Sequence, residues 1–158
     1  MRFTKMHGAG NDFVVINAIE EDVPLSSASC LARTLCSRRT GIGADGLMLV
    51  AKAEGNADYR LLFYNSDGSL GEMCGNGARC IARYGYEHGL AGESQRIETT
   101  AGLVTGRRLK SGLVVYMVQH LQKITSQNRA DTHGGGKSAF LPLLRARLDA
   151  VSIIPRLP

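Results

Sequence analysis

The spacing of apolar residues divides the first 117 positions into short strands and two helices. Over residues 26–38, apolar side chains recur every three to four positions, which predicts a helix with Ser26 or Ser27 as its N-cap. The same spacing is clearest over residues 76–88, where we predict a second helix. The apolar run at residues 13–16 predicts a buried strand over residues 12–18. Shorter apolar or alternating runs predict further strands at residues 47–50, 59–64, 94–100, 102–109 and 113–117.

Turns rich in glycine and asparagine separate these elements, among them residues 7–11, 40–46 and 65–68. Helices and strands follow one another without a regular strand–helix–strand alternation. The order therefore predicts an α+β fold with mixed or antiparallel strands rather than a doubly wound sheet. The pattern changes after Met117, where the chain becomes polar with little periodicity. We expect one domain over residues 1–117 and a divergent, weakly ordered basic tail over residues 118–158.

Composition narrows the class of protein. The 158 residues are 44% hydrophobic and 21% charged, which is typical of a globular domain. No apolar run approaches the roughly 18 residues of a membrane span, and the N-terminus lacks the pattern of a secretory signal. We therefore expect a cytoplasmic protein that does not enter a membrane.

The net charge of +5 by itself suggests nucleic-acid binding, but the distribution of that charge along the chain does not. Residues 1–117 hold 13 Lys and Arg against 12 Asp and Glu, whereas residues 118–158 hold 6 against 2. The basic excess belongs to the tail, where Phe140 is the single Phe, Tyr or Trp residue, so the tail lacks the repeated aromatic residues that stack on bases. We expect no nucleic-acid partner.

The four cysteines lack the CxxC spacing of a metal or redox site, so we expect free thiols and no metal. Three are expected to be small buried hydrophobes, and one, Cys74, has a setting suited to chemistry. It precedes Gly75, Asn76 and Gly77 at the predicted start of the second helix. Unpaired N–H groups and the helix dipole favour a thiolate there and also bind a carboxylate. Spacing alone leaves open the alternative of an inert cysteine at a glycine-rich helix cap.

Three blocks in order carry a resemblance to a known family. They are Lys-Met-His-Gly-Ala-Gly-Asn-Asp-Phe at residues 5–13, Gly-Ile-Gly-Ala-Asp-Gly at 41–46, and Met-Cys-Gly-Asn-Gly-Ala-Arg-Cys at 73–80. With the strand and turn at residues 98–102, they are similar to the N-terminal half of diaminopimelate epimerases. The resemblance implies a diaminopimelate-epimerase-like domain with strands wrapped around a central helix.

The resemblance also implies roles for five residues. Cys74 would be one of two catalytic cysteines. Gly75 and Asn76 would hold the reacting end of the substrate through backbone N–H groups and the side-chain amide. Asn11 and Asn65 would contact amino-acid groups of the substrate, although turn formation alone also explains both asparagines.

The implied reaction interconverts LL- and meso-diaminopimelate for lysine and peptidoglycan synthesis, without pyridoxal phosphate or any other cofactor. A thiolate on one face of the α-carbon removes a proton while a thiol on the other face delivers one. The family resemblance also implies a homodimer. Its small-molecule substrate would be the principal partner.

The chain departs from this family after Met117, because it has no cysteine beyond Cys80 and no recognisable second domain. We expect a truncated or frameshifted sequence with little or no epimerase activity by itself. Two alternatives stay open, namely a proline or hydroxyproline racemase-like enzyme and a non-catalytic fragment. Asn76 disfavours the racemases, which typically carry histidine there. A thiol redox protein is disfavoured by the cysteine spacing.

Overall fold

The computed structural model describes residues 1–72, 74–109, 112–116 and 151–153. These residues form eight strands and two α-helices. The strands are β1 (Thr4–Gly8), β2 (Asn11–Asn17), β3 (Gly46–Ala51), β4 (Tyr59–Asn65), β5 (Ser94–Thr99), β6 (Gly102–Leu109), β7 (Gly112–Tyr116) and β8 (Val151–Ile153). The helices are α1 (Ala28–Cys36), which follows a 3₁₀ turn at Leu25–Ser27, and α2 (Gly75–Glu87).

All eight strands belong to one mixed sheet with the order β7-β6-β5-β4-β3-β2-β1-β8. The β2–β3 and β4–β5 pairs are parallel, and the other neighbouring pairs are antiparallel. This arrangement confirms the predicted α+β class with mixed strands. It also brings the start of β2, the start of β3 and the end of β4 to the same end of the sheet.

The central strands are buried on both faces, which explains the continuous apolar run at residues 13–16. Successive side chains of a strand point to opposite faces. Phe13 and Val15 accordingly pack in the core cluster that contains α2, whereas Val14 and Ile16 pack with α1. The two helices therefore cover opposite faces of the sheet, and α2 lies against β1 and β2.

The predicted helix at residues 76–88 and the predicted strands agree with the structure to within one or two residues. One strand differs from the prediction, because β1 runs through His7 and Gly8, for which the sequence predicts a turn. Only Ala9 (φ 52°) and Gly10 (φ 85°) form the hairpin turn, and positive φ at both positions is typical of a tight β1–β2 connection.

The first helix is shorter than predicted, and Ser27, its N-cap, gives it no side-chain cap. The Ser27 hydroxyl instead donates a hydrogen bond to the Pro24 carbonyl. No helix in the described parts of the chain is long and apolar enough to cross a membrane.

The predicted boundary after residue 117 and the predicted tail fall almost entirely outside the described residues. Within that stretch the structure describes only β8, which pairs antiparallel with Met6–Gly8 of β1. Both therefore stay predictions.

Candidate functional site

Cys74 is the N-cap of α2 and lies half-buried between this helix and the sheet. Its backbone is extended (φ −96°, ψ 156°), and its carbonyl accepts the Ala78 N–H at 2.9 Å. The Sγ atom accepts the Gly77 N–H at 3.3 Å. The thiol thus occupies the place of a capping oxygen, where backbone donors and the helix dipole favour negative charge.

Asn11 brings a second donor to the same sulfur. Its Nδ2 lies 3.8 Å from Cys74 Sγ, across 63 residues of sequence. The tight turn at Ala9 and Gly10 starts β2 at Asn11, and α2 packs against that strand. Two N–H donors from separate elements therefore converge on Sγ, as a thiolate would require.

Gly75 and Asn76 form the first turn of α2, where N–H groups have no acceptor within the helix. Gly75 is exposed, and Asn76 is half-buried. The Asn76 Oδ1 accepts a hydrogen bond from Arg79 one turn further along. This turn offers donors for a carboxylate beside Cys74.

Asn65 lies at the end of β4, at the same end of the sheet but not in the same hydrogen-bond cluster. Gly46 of β3 pairs with both Phe13 of β2 and Asn65 of β4, so about two strand spacings, or 10 Å, separate β2 from β4. The Asn65 Nδ2 donates to Ser69 Oγ at 2.9 Å, within its own turn. The structure therefore joins Asn11, Cys74, Gly75 and Asn76 at one place and puts Asn65 to one side.

The other three cysteines have different surroundings. Cys80 is fully buried, and desolvation raises the pKa of its thiol to about 12. Desolvation likewise raises the pKa of Cys36 to about 11. Cys30 is exposed, so the expectation of three buried cysteines was wrong. Buried residues of α1 are Ala28, Ala32 and Cys36, and position 30 lies on the opposite side of that helix.

A charged cluster beside Asn11 was not anticipated. The Asp12 carboxylate accepts from Lys5 at 2.9 Å and from Arg38 at 2.8 Å, and Arg38 also contacts Asp45 at 2.8 Å. Desolvation opposes ionisation of Asp12, but hydrogen bonds from Arg38 and Lys5 hold its pKa well below the usual range. The cluster ties β1, β2 and the turn before β3 together at the residue that follows Asn11.

No group of three His, Cys, Asp or Glu side chains in the described parts of the chain is arranged to hold a metal ion. The groups that converge at Cys74 are donors of N–H bonds, which suit an anion. The described residues therefore place a half-buried sulfur, which accepts two N–H contacts, beside helix N–H groups that have no acceptor within the helix.

Solved structures share this fold at low identity. A probable proline racemase from Agrobacterium radiobacter matches with a TM-score of 0.56 and 19% identity, covering 73% of this chain and 41% of its own. A Bacillus anthracis protein of the phenazine biosynthesis PhzF family matches with a TM-score of 0.55 and 20% identity, over 74% and 40%.

Sequence comparison is more specific. The family model described as diaminopimelate epimerase matches residues 3–124. The diaminopimelate epimerase of Moorella thermoacetica is 55% identical over 113 residues, covering 71% of this chain and 40% of the relative. That of Bacillus cytotoxicus is 43% identical over 142 residues, covering 88% and 49%. The chain thus spans between a third and a half of the length of the curated relatives it matches. On the evidence of the family model, which covers more than half of its residues, the chain belongs to the diaminopimelate epimerase family.

Proposed function

We propose that this chain forms the N-terminal half-site of a diaminopimelate epimerase, an isomerase that works without pyridoxal phosphate. Cys74 is the proposed acid/base at the α-carbon of LL- or meso-diaminopimelate. The observation that carries the proposal is the convergence of the Gly77 N–H and the Asn11 amide on Sγ at the start of α2. Membership of the diaminopimelate epimerase family supports the choice of substrate.

This geometry supports a specific proton transfer. The Cys74 thiolate takes the α-proton and becomes a thiol, and the C–H electron pair moves toward the α-carboxylate. The first N–H groups of α2, at Gly75 and Asn76, face the negative charge that develops on that carboxylate. Donors fixed before the reaction need no reorganisation when the charge appears, so they lower the barrier.

Inversion needs a second acid on the opposite face of the carbon. Cys80 does not supply it, because the residue is fully buried in the core cluster that contains α2 and is out of reach of a substrate. The 158 residues contain no cysteine after Cys80. The residues present therefore support proton exchange on one face, with little or no interconversion of the LL and meso forms.

The test is α-proton exchange in D₂O. Purified chain is incubated with LL-diaminopimelate, deuterium at the α-carbon is measured by mass spectrometry, and stereochemistry is measured by chiral chromatography. We expect exchange with retained configuration, abolished by Cys74→Ala and preserved in the matched control Cys30→Ala. Exchange that survives Cys74→Ala contradicts the role of Cys74, and substantial meso product contradicts the one-face mechanism.

The same assay separates the alternatives. Exchange of proline in place of diaminopimelate would favour a racemase-like enzyme. Absence of exchange with both substrates, in a folded chain, would favour a non-catalytic fragment. A cytoplasmic location and a homodimer complete the proposal, and light scattering that reports a monomer mass at micromolar concentration would contradict the dimer.

A further inference from the structure

Arg79 lies one helical turn after Asn76, on the same face of α2. Its guanidinium donates a hydrogen bond from Nη2 to Asn76 Oδ1. Its Nη1 lies 3.7 Å from the position that a Cβ at Gly75 would take. The guanidinium therefore lies over the first turn of α2, beside Gly75 and Asn76.

This contact decides which part of the Asn76 amide faces outward. An asparagine amide has one oxygen acceptor and two N–H donors, whereas a guanidinium has donors only. Arg79 therefore engages the oxygen and leaves the NH₂ group for a ligand. Without Arg79, the amide can turn over and present either end.

The side-chain amide of Asn65 is held the other way round, through its NH₂ group rather than its oxygen. Its Nδ2 donates to Ser69 Oγ at 2.9 Å, and the Ser69 hydroxyl donates to Asp67 at 2.6 Å. Because that hydroxyl proton is committed to the carboxylate, Ser69 accepts from Asn65, and the amide oxygen of Asn65 is the end left for a ligand. The two amides thus differ in hydrogen-bonding character because different neighbours orient them.

We propose that Arg79 is a positioning residue that locks the Asn76 amide with its NH₂ group outward, so that the first turn of α2 presents only donors and selects a carboxylate. The inference rests on the proposed function for the identity of that carboxylate. It assigns to Arg79 a role exerted through Asn76 rather than by direct contact.

The test uses the sulfur of Cys74 as a reporter and needs no substrate. Iodoacetate carries a carboxylate and iodoacetamide does not, so the ratio of their alkylation rates measures anion recognition beside Cys74. Peptide mass spectrometry reads this ratio in the full chain, and exposed Cys30 provides the reference ratio in the same sample. The removal of one hydrogen bond to a charged group predicts a fall of about tenfold in the Cys74 ratio for Arg79→Met.

A double-mutant cycle separates positioning from direct charge. In the Asn76→Ala background, Arg79→Met should change the ratio by less than about twofold, because the amide it orients is gone. Arg79→Lys keeps a donor and should restore most of the ratio. Arg83→Met, which removes a cation one turn further along α2, should leave it unchanged. An equal fall with and without Asn76, or no fall at all, overturns the proposal.

A second arm connects the inference to the ligand. Pimelate keeps both carboxylates of diaminopimelate without its amines, and 1,5-diaminopentane keeps both amines without its carboxylates. We expect Arg79→Met to weaken the protection of Cys74 by pimelate by about tenfold, with protection by 1,5-diaminopentane unchanged. Equal weakening of both overturns the inference. Failure of diaminopimelate to protect Cys74 in the unsubstituted chain overturns the proposed function instead, whatever the alkylation ratio shows.

Discussion

A buried polar contact between the sheet and α2 gives the sharpest stability prediction. The Tyr59 hydroxyl on β4 donates to Gln95 Oε1 on β5 at 2.7 Å and lies 3.1 Å from the Ile81 carbonyl of α2. Gln95 Nε2 donates to the Ala82 carbonyl at 2.8 Å. Tyr59 and Gln95 are almost completely buried, so no water replaces a lost partner. Tyr59→Phe removes the hydroxyl and keeps the ring.

The magnitude follows from what is left behind. Phenylalanine preserves the packing but leaves Gln95 Oε1 buried without its donor, which costs about 1–3 kcal/mol of unfolding free energy. For a domain of this size, each kcal/mol lowers Tm by roughly 3–5 °C. Gln95→Met leaves the tyrosine hydroxyl with the Ile81 carbonyl as an acceptor and should cost about 1 kcal/mol. The double variant should lose less unfolding free energy than the two single variants together, by at least about 0.5 kcal/mol. The reason is that neither Tyr59 nor Gln95 is then left buried without the other.

Urea unfolding followed by circular dichroism at 222 nm measures these differences. Tyr86→Phe is the matched control, because it removes a hydroxyl from a half-buried tyrosine of α2 and should change stability by less than about 0.5 kcal/mol. A loss below about 0.5 kcal/mol for Tyr59→Phe would refute this account of how α2 is anchored. Strict additivity in the double variant would refute the pairing with Gln95.

Three further predictions test other parts of the structure. Asp12→Asn should reduce the unfolding free energy at pH 7, and the reduction should shrink progressively in acid. The pKa of Asp12 is depressed in the folded chain, so its contribution is fully present above the unfolded value of about 3.9 and is lost as the pH falls from there through the lower pKa of the folded chain; urea midpoints of both proteins at pH 7 and in steps down to about pH 2 check this. In native protein at pH 8, iodoacetamide should modify Cys74 and leave Cys80 unmodified, as read by peptide mass spectrometry, because burial raises the pKa of Cys80 to about 12; equal labelling would contradict that burial. Gly85→Ala should destabilise by about 1–3 kcal/mol despite the better helix propensity of alanine, because its Cβ would lie 2.5 Å from the Tyr59 hydroxyl oxygen; an unchanged or higher Tm would contradict the packing.

The elements that the sequence predicts well are those with a repeating apolar pattern. Helix α2 and strands β2 to β7 were predicted because burial of one or both faces leaves a local signature. Strand β1 has no such signature, since only Met6 and Gly8 of its five residues are buried. Its strand conformation comes from pairing with β2, which is a contact between chain segments rather than a property of either one.

In the candidate site, too, local features could be predicted from the sequence, whereas contacts between distant segments could not. The position of Cys74 at a helix start is visible in the Cys-Gly-Asn-Gly pattern. The approach of Asn11 to its sulfur joins positions 63 residues apart and required the fold. The bond between Arg79 and Asn76 is local, at a spacing of three in a helix, so helical periodicity was a signal that could have found it. The exposure of Cys30 was likewise available from its place opposite the buried stripe of α1.

The two kinds of contact at α2 should separate stability from chemistry. Tyr59 and Gln95 hold the helix to the sheet through carbonyls in its middle, whereas Arg79 acts on its first turn. Loss of the Tyr59 hydroxyl should therefore lower the unfolding free energy while the alkylation ratio at Cys74 in the folded chain stays unchanged. Loss of the Arg79 guanidinium should change that ratio with a smaller effect on unfolding, because the bond it makes is partly exposed to solvent. If both variants moved both quantities together, the position of α2 and the orientation of the Asn76 amide would be one property rather than two.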